Sequence, residues 1–234
     1  APSRAAWGLV HLSVNALIVQ VAYFALMVYA LRLGMSAGAA ALVIGLQPVL
    51  VALLVPYVAG ERVPPLVWLG LVLGLAGTAL VVTSRGAIAA EGWGGMASAI
   101  GALSTMAAGV LYEKRFGRPN HPVAANLVIY TVGALTCLPL AWFLEGLEVT
   151  WSQPVALAMA YLVFGNSLLS MTLLFTMVRR GEAARVSALF FLVPPVAALI
   201  AMVLVGERLA PIAWVGMLLA ATGVALATRA PGKK

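Results

Sequence analysis

Eight stretches of about 20 residues run with almost no charge, over roughly 10–31, 37–59, 64–83, 93–112, 123–144, 154–178, 184–205 and 210–228. An α-helix rises about 1.5 Å per residue, so each stretch is long enough to cross the ~30 Å hydrocarbon core of a bilayer. Lipid offers no water to an open backbone, which leaves only helices and closed barrels as spanning structures. A barrel strand would alternate apolar and polar residues at every second position, whereas these runs are continuous. The chain therefore reads as an all-α integral membrane bundle. Composition points the same way: 63% of the 234 residues are apolar and 9% charged, against about 45–50% and about 25% in soluble domains. The connections leave no room for a soluble domain.

The net charge of +7 is explained by topology rather than by a nucleic-acid partner. With eight alternating spans, one side collects Arg4, Arg62, Lys114, Arg115, Arg118, Arg179, Arg180, Arg185, Arg229, Lys233 and Lys234. The other holds only Arg32, Arg85 and Arg208. The excess of basic residues on the side of both termini predicts that both face the cytoplasm. No cleavable leader is evident, since a full-length span follows soon after Arg4. The single Cys137 cannot form an intrachain disulfide.

Two of the spans carry an internal proline and close alike. Residues 41–62 read ALVIGLQPVLVALLVPYVAGER, and residues 188–208 read ALFFLVPPVAALIAMVLVGER. A shift of 146 positions aligns 41–82 with 187–228, and 14 of the 42 pairs are identical. They include Pro48 with Pro194, Gly60-Glu61-Arg62 with Gly206-Glu207-Arg208, Trp68 with Trp214, Gly70 with Gly216 and Gly77 with Gly223. Two unrelated apolar stretches would match in Leu, Ala and Val, not in Glu, Arg and Trp in register. We read this as an internal repeat. The span count places Glu61 on one side and Glu207 on the other, so the copies are inverted. The first copy covers 1–85 with three helices and the second 90–230 with five. Two five-helix copies are the expectation, with an amino-terminal hairpin of the first not represented.

Pro48, the Gly-Glu-Arg that begins twelve positions later, Trp68-x-Gly70 and Gly77 together resemble the drug/metabolite transporter superfamily, EamA-type. The second copy shows the same features. The resemblance implies ten helices in two inverted five-helix repeats and export of amino acids and other small metabolites; the YddG-like amino acid exporters are one branch. The family's first helix normally helps line the pathway.

In inverted-repeat transporters the substrate site lies near the midplane, beside interrupted helices. Pro48 and Pro194, with Pro195 beside it, fall mid-span, where a proline frees a carbonyl and lets a helix bend. Their matched placement predicts that they flank a common central cavity. Gln20, Tyr23 and Met27 share one face of the first span at helical spacing. Ser98, Gly101, Thr105, Gly109 and Tyr112 form a stripe on the fourth. Asn166 and Ser170 sit mid-span in the sixth, and Gln20 falls opposite Asn166 under the shift. Gln47 precedes its proline. Amides in hydrocarbon are costly unless paired, so they face a cavity or hold helices together. Phe191, with Phe190, offers an aromatic surface for a substrate or plain packing. The candidate substrate-binding set is therefore Gln20, Tyr23, Gln47, Pro48, Thr105, Asn166, Ser170, Phe191 and Pro194.

There is no Asp, and the seven Glu read near helix ends. With no carboxylate evident inside a span, a passive or weakly coupled exporter is expected. Glu61 and Glu207 read as a structural latch with Arg62 and Arg208 as partners. Glu113-Lys114-Arg115 reads as a solvated helix end, and His11 and His121 as incidental. The stripes Gly70, Gly74, Gly77 and Gly216, Ala220, Gly223 read as close helix packing. No catalytic residues, cofactor or metal site are expected: there is no HExxH pair, G-x-S-x-G elbow or pair of membrane aspartates. The expected partners are a small-molecule substrate and the lipid bilayer, with a monomer favoured over a homodimer. The chief alternatives are a non-transporting scaffold or assembly protein and, behind it, an intramembrane enzyme.

Overall fold

A computed structural model of the chain describes residues 4–84, 93–117, 122–145, 151–180, 183–205 and 209–229. Among these, 92% are helical and there are no strands. Eight helical elements follow one another. The first, α1, runs through Arg4–Ala16, Leu17–Ala22 and Tyr23–Arg32; α2 through Ala37–Gly45 and Gln47–Ala59; α3 is Pro65–Ser84 and α4 Trp93–Phe116. Then come α5, Pro122–Glu145; α6, through Gln153–Ala160, Tyr161–Ser170 and Met171–Arg180; α7, through Ala183–Ala188, Leu189–Leu192 and Val193–Val205; and α8, Pro211–Arg229. Among the described residues, seven are long and apolar enough to cross a membrane, and in α6 the apolar stretch is the shorter Val155–Gly165. The architecture is the expected all-α membrane bundle.

The ends have local causes. Ser36 caps α2, its hydroxyl accepting from the Ala39 amide at 3.2 Å, which satisfies one of the free first-turn donors. Gly60 closes α2 in the left-handed region at φ 69°, where a Cβ would be strained. Pro65, Pro122 and Pro211 each open a helix, where the missing amide hydrogen is not needed.

Four elements depart from α geometry, and the departures pair off. In α1, Leu17–Ala22 is π-helical; in α6 so is Tyr161–Ser170, which contains the positions 146 further on. In α2 the Leu46 amide donates to the Val43 carbonyl at 3.1 Å, a tightened turn just before Pro48, which has no amide hydrogen of its own. In α7 the matching residues, Leu189–Leu192, form a 3-10 turn before Val193-Pro194-Pro195.

The deepest contact joins α3 to α8. A Cβ built at Gly70 would lie 2.5 Å from the Gly223 carbonyl, and one at Gly223 would lie 2.6 Å from that of Gly70. Gly77 and Gly216 stand in the same relation, at 2.5 and 2.7 Å. Gly70 is the counterpart of Gly216 under the 146-residue shift, and Gly77 that of Gly223. The two helices therefore meet reciprocally, each using the same surface, as across a two-fold axis. Only glycine lets backbones come this close. The core extends from this seam through Val51, Val55, Val67, Leu71, Val110, Val178, Phe191 and Val224. Leu53, Leu69, Val72, Leu135 and Leu218 are exposed on the outside, as lipid-facing positions would be.

Candidate functional site

Where α2 and α7 break, four polar or aromatic residues come together. Gln47 opens the second half of α2 and is only 1% exposed. Its Nε2 donates to the Ser187 hydroxyl in α7 over a long 3.5 Å, and its Oε1 is buried with no donor. Thr78 of α3 donates to the Phe191 carbonyl at 3.3 Å, a group in the 3-10 turn of α7. Gly45, just before the break in α2, faces the Thr78 methyl: a Cβ there would lie 3.6 Å away. Phe191 is fully buried with its ring over Gly74, where a Cβ would overlap it. Pro48 is buried beside Gln47, and on the α7 side Pro195 is buried while Pro194 is half-buried. A buried acceptor without a donor is uncommon, since nearly all such atoms find a partner. Gln47 Oε1 is thus a hydrogen-bond acceptor waiting in the bundle's interior.

The other sequence candidates have separate neighbours. Gln20 is half-buried in the π segment of α1 with its stem against Gly133 of α5, a Cβ there lying 3.4 Å from that of Gln20. Tyr23 is half-buried and meets Phe24 edge-on at 4.9 Å. The hydroxyls of Thr105 and Ser170 bond within their own helices, to Ala102 at 2.8 Å and Gly165 at 2.9 Å. The Asn166 side chain lies outside the described set, as do His121, Glu207 and Arg208. The gathered cluster is therefore Gln47, Pro48 and Phe191, with Ser187 and Thr78 added. Neither of these two stood out in the sequence, where a lone hydroxyl in a span reads as helix packing. Asn126 of α5, donating to Thr172 of α6, was also missed.

At the end of α4 the sequence reading is corrected. The helix continues to Phe116, so Glu113-Lys114-Arg115 is its last turn rather than a solvated end. Glu113 is 3% exposed and accepts from Asn15 Nδ2 of α1 at 3.1 Å. Lys114 lies 2.6 Å from Glu61, and Arg115 donates to the Val58 carbonyl of α2 at 2.6 Å. Glu61 also accepts from the Ala183 amide at the start of α7, at 3.0 Å. The latch role is thus filled by Lys114, not by the expected Arg62, which is exposed. Sequence adjacency pointed to Arg62, but Gly60 ends the helix and turns the chain, and Glu61 meets α4 and α7 instead. His11 is not incidental either: its Nδ1 is 2.7 Å from the Tyr112 hydroxyl and its ring stacks on Phe116 at 5.9 Å. Glu113 thus lies near a helix end, as the sequence reading had it, but is buried there rather than solvated. Asn15 was missed because its partner lies 98 positions away. Among the described residues no cluster of His, Cys, Asp or Glu could hold a metal ion.

Comparison with known proteins follows these features. The EamA-like transporter family matches residues 2–83 and 93–229. An uncharacterized transporter of Bacillus subtilis is 27% identical over 82% of this chain and 63% of its own. An uncharacterized inner membrane transporter of Escherichia coli is 28% identical over 82% of this chain and 61% of its own. A probable amino-acid metabolite efflux pump of Escherichia coli is 28% identical over 89% of this chain and 73% of its own. The chain thus spans a little over three fifths of the length of the first two relatives. A solved structure superposes with a TM-score of 0.80, covering 97% of this chain and 77% of the other at 23% identity. That likeness concerns the fold.

Proposed function

The chain belongs to the EamA-like transporter family, and from that premise we propose that it exports small metabolites across the inner membrane by alternating access. Amino acids are the favoured class, hydrophobic or aromatic ones first. Both termini face the cytoplasm, and the working unit is a monomer. Two inverted copies, 1–85 and 90–230, rock against each other about the α3–α8 seam. The substrate passes between the broken helices α2 and α7.

The observation that carries this reading is the unpartnered Gln47 Oε1. It is buried beside two interrupted helices, between the copies, where transporters of this design bind their cargo. An amide acceptor, two hydroxyls and an aromatic ring suit a small solute with an N–H or ammonium donor and an apolar side chain. Gln20, Tyr23, Thr105, Asn166, Ser170 and Pro194 complete the proposed path. The relative named a probable amino-acid metabolite efflux pump supports the substrate class. No feature of the site favours an enzyme or a scaffold over this reading.

The test is counterflow in liposomes. Purified protein is reconstituted in vesicles loaded with unlabelled L-phenylalanine, and uptake of labelled L-phenylalanine is followed, with a panel of other amino acids in parallel. The expected outcome is accumulation above protein-free vesicles that falls sharply in Gln47→Leu. Uptake equal to protein-free vesicles for every member of the panel would sink the amino acid assignment.

A further inference from the structure

The two copies disagree at one position of the crossing. Under the shift of 146 residues, Gly45 of α2 corresponds to Phe191 of α7. Both lie at the break of their helix, and both lie against Thr78 of α3. The Thr78 hydroxyl donates to the Phe191 carbonyl at 3.3 Å, while its methyl faces Gly45. Phe191 is fully buried, and its ring is seated over Gly74 of α3. At the equivalent place in the first copy there is no side chain at all.

Neither backbone conformation nor crowding calls for glycine at 45. Among the described residues, the glycines in the left-handed region are Gly34 and Gly60, so a side chain at 45 meets no backbone strain. A Cβ there would meet one described atom within 4 Å, the Thr78 methyl at 3.6 Å, which is ordinary contact. At Gly70, Gly77, Gly216 and Gly223 a Cβ would come within 3.0 Å of backbone. Glycine in a helix is less stable than alanine, so position 45 gives up helix stability without gaining a contact. What it keeps is room. Gly45 is also half-buried, whereas Gln47, Pro48, Thr78, Ser187 and Phe191 are buried. Of these residues it is the one that a solute can reach without displacing a side chain.

We propose that the room beside Gly45 is the subsite for the apolar side chain of the cargo, and that Gly45 and Thr78 set the largest side chain accepted. The cargo class is an amino acid with an aromatic or large aliphatic side chain. Its ammonium group takes the acceptor at Gln47 Oε1, two positions further along α2, and its side chain lies beside Gly45 against the Thr78 methyl. An apolar recess next to a single placed polar group is the usual make-up of a small-molecule site. In the second copy the ring at this place belongs to the protein, as Phe191; in the first it is brought by the substrate. The subsite deepens the exporter reading and rests on it.

The test is a side-chain size profile, read as a ratio so that losses of folded protein cancel. Counterflow of labelled L-phenylalanine is measured in proteoliposomes beside that of the smallest amino acid the wild type carries. One methylene in an apolar pocket changes discrimination by about 10–200-fold. Gly45→Ala should therefore lower the ratio of phenylalanine to the small substrate by about tenfold or more, and Gly45→Phe, which restores the ring of the other copy, should lower it further. Thr78→Ser removes the methyl and keeps the hydroxyl for the Phe191 carbonyl, so it should move the profile the other way, raising L-tryptophan relative to L-phenylalanine. If Gly45→Phe does not fold, Gly45→Ala decides. An unchanged ratio in Gly45→Ala, with the wild type transporting, would overturn the subsite and leave the exporter reading standing. A shift toward small substrates in Thr78→Ser would overturn the role given to Thr78. A wild type that carries no amino acid would overturn the amino acid reading and the subsite with it.

Discussion

The α3–α8 seam and the α2–α7 crossing sit side by side and treat their backbones in opposite ways. At the seam, backbone lies directly on backbone, through Gly70, Gly77, Gly216 and Gly223, in a reciprocal pattern. Among the described residues no buried side-chain polar atom there lacks a partner, and neither helix departs from α geometry. At the crossing, both helices tighten or break beside a proline, and Gln47 keeps a buried oxygen without a donor. Close backbone packing has one good arrangement and resists distortion. A polar group left open has a use only when something else arrives. The contrast separates a pivot from a place of exchange.

The sharpest way to break the comparison is to add one methyl group to the pivot. In Gly77→Ala the new Cβ meets the Ala220 amide nitrogen and lies 2.5 Å from the Gly216 carbonyl, and neither backbone atom can rotate away. A loss of about 1–3 kcal/mol follows from overpacking, read as a lower thermal unfolding midpoint in detergent. Gly45→Ala should do less, because its new Cβ lies 3.6 Å from the Thr78 methyl, an ordinary van der Waals contact. Equal losses would mean that the seam is no tighter than its surroundings.

A smaller effect is expected at the end of α4, where Glu61 ties α2, α4 and α7 together. Both side chains of the Glu61–Lys114 pair are mostly buried, at 16% and 19% exposure. Glu61→Gln and Lys114→Met should each lower stability by about 1–2 kcal/mol, since a half-buried charge loses its partner. The double variant should lose less than the two combined, and that difference in a double-mutant cycle measures the pair. Strict additivity would remove the latch.

How far these regions were legible differs for a physical reason. The spans and their limits follow from runs of apolar residues, a local property, and the helices begin and end within a few residues of the expected places. The exceptions are α1, which starts at Arg4 rather than near residue 10, and α4, which extends past Tyr112 and takes in the charged turn. The seam was legible too, because close approach requires Gly70, Gly77, Gly216 and Gly223 at helical spacing. Glu113 was misread because three adjacent charged residues look like a solvated end. Its burial is decided by Asn15 and α1, far away in the chain. Gln47 stood out as an amide beside a proline, but Ser187 and Thr78 did not, since a hydroxyl in a span gives no sign of what it faces. The π turns at Gln20 and near Asn166 carry no proline to announce them. Only the equal depth of the two amides hinted that the segments correspond.

The last prediction has the smallest effect on stability and is the most informative about exchange. Gln47→Leu removes an amide whose oxygen has no donor and whose nitrogen makes one long bond to Ser187. Leaving a buried polar atom unsatisfied costs about 1–3 kcal/mol, and a normal hydrogen bond returns about 1 kcal/mol. The replacement is apolar and close in size, so stability should change by less than about 1 kcal/mol, with a slight gain more in keeping with the geometry than a loss. Phenylalanine counterflow should fall at the same time. Gly77→Ala should show the opposite balance, with a large loss of stability and transport lost only in proportion to folded protein. If Gln47→Leu instead unfolds the protein as readily as Gly77→Ala, Gln47 holds helices together and the distinction between pivot and crossing fails.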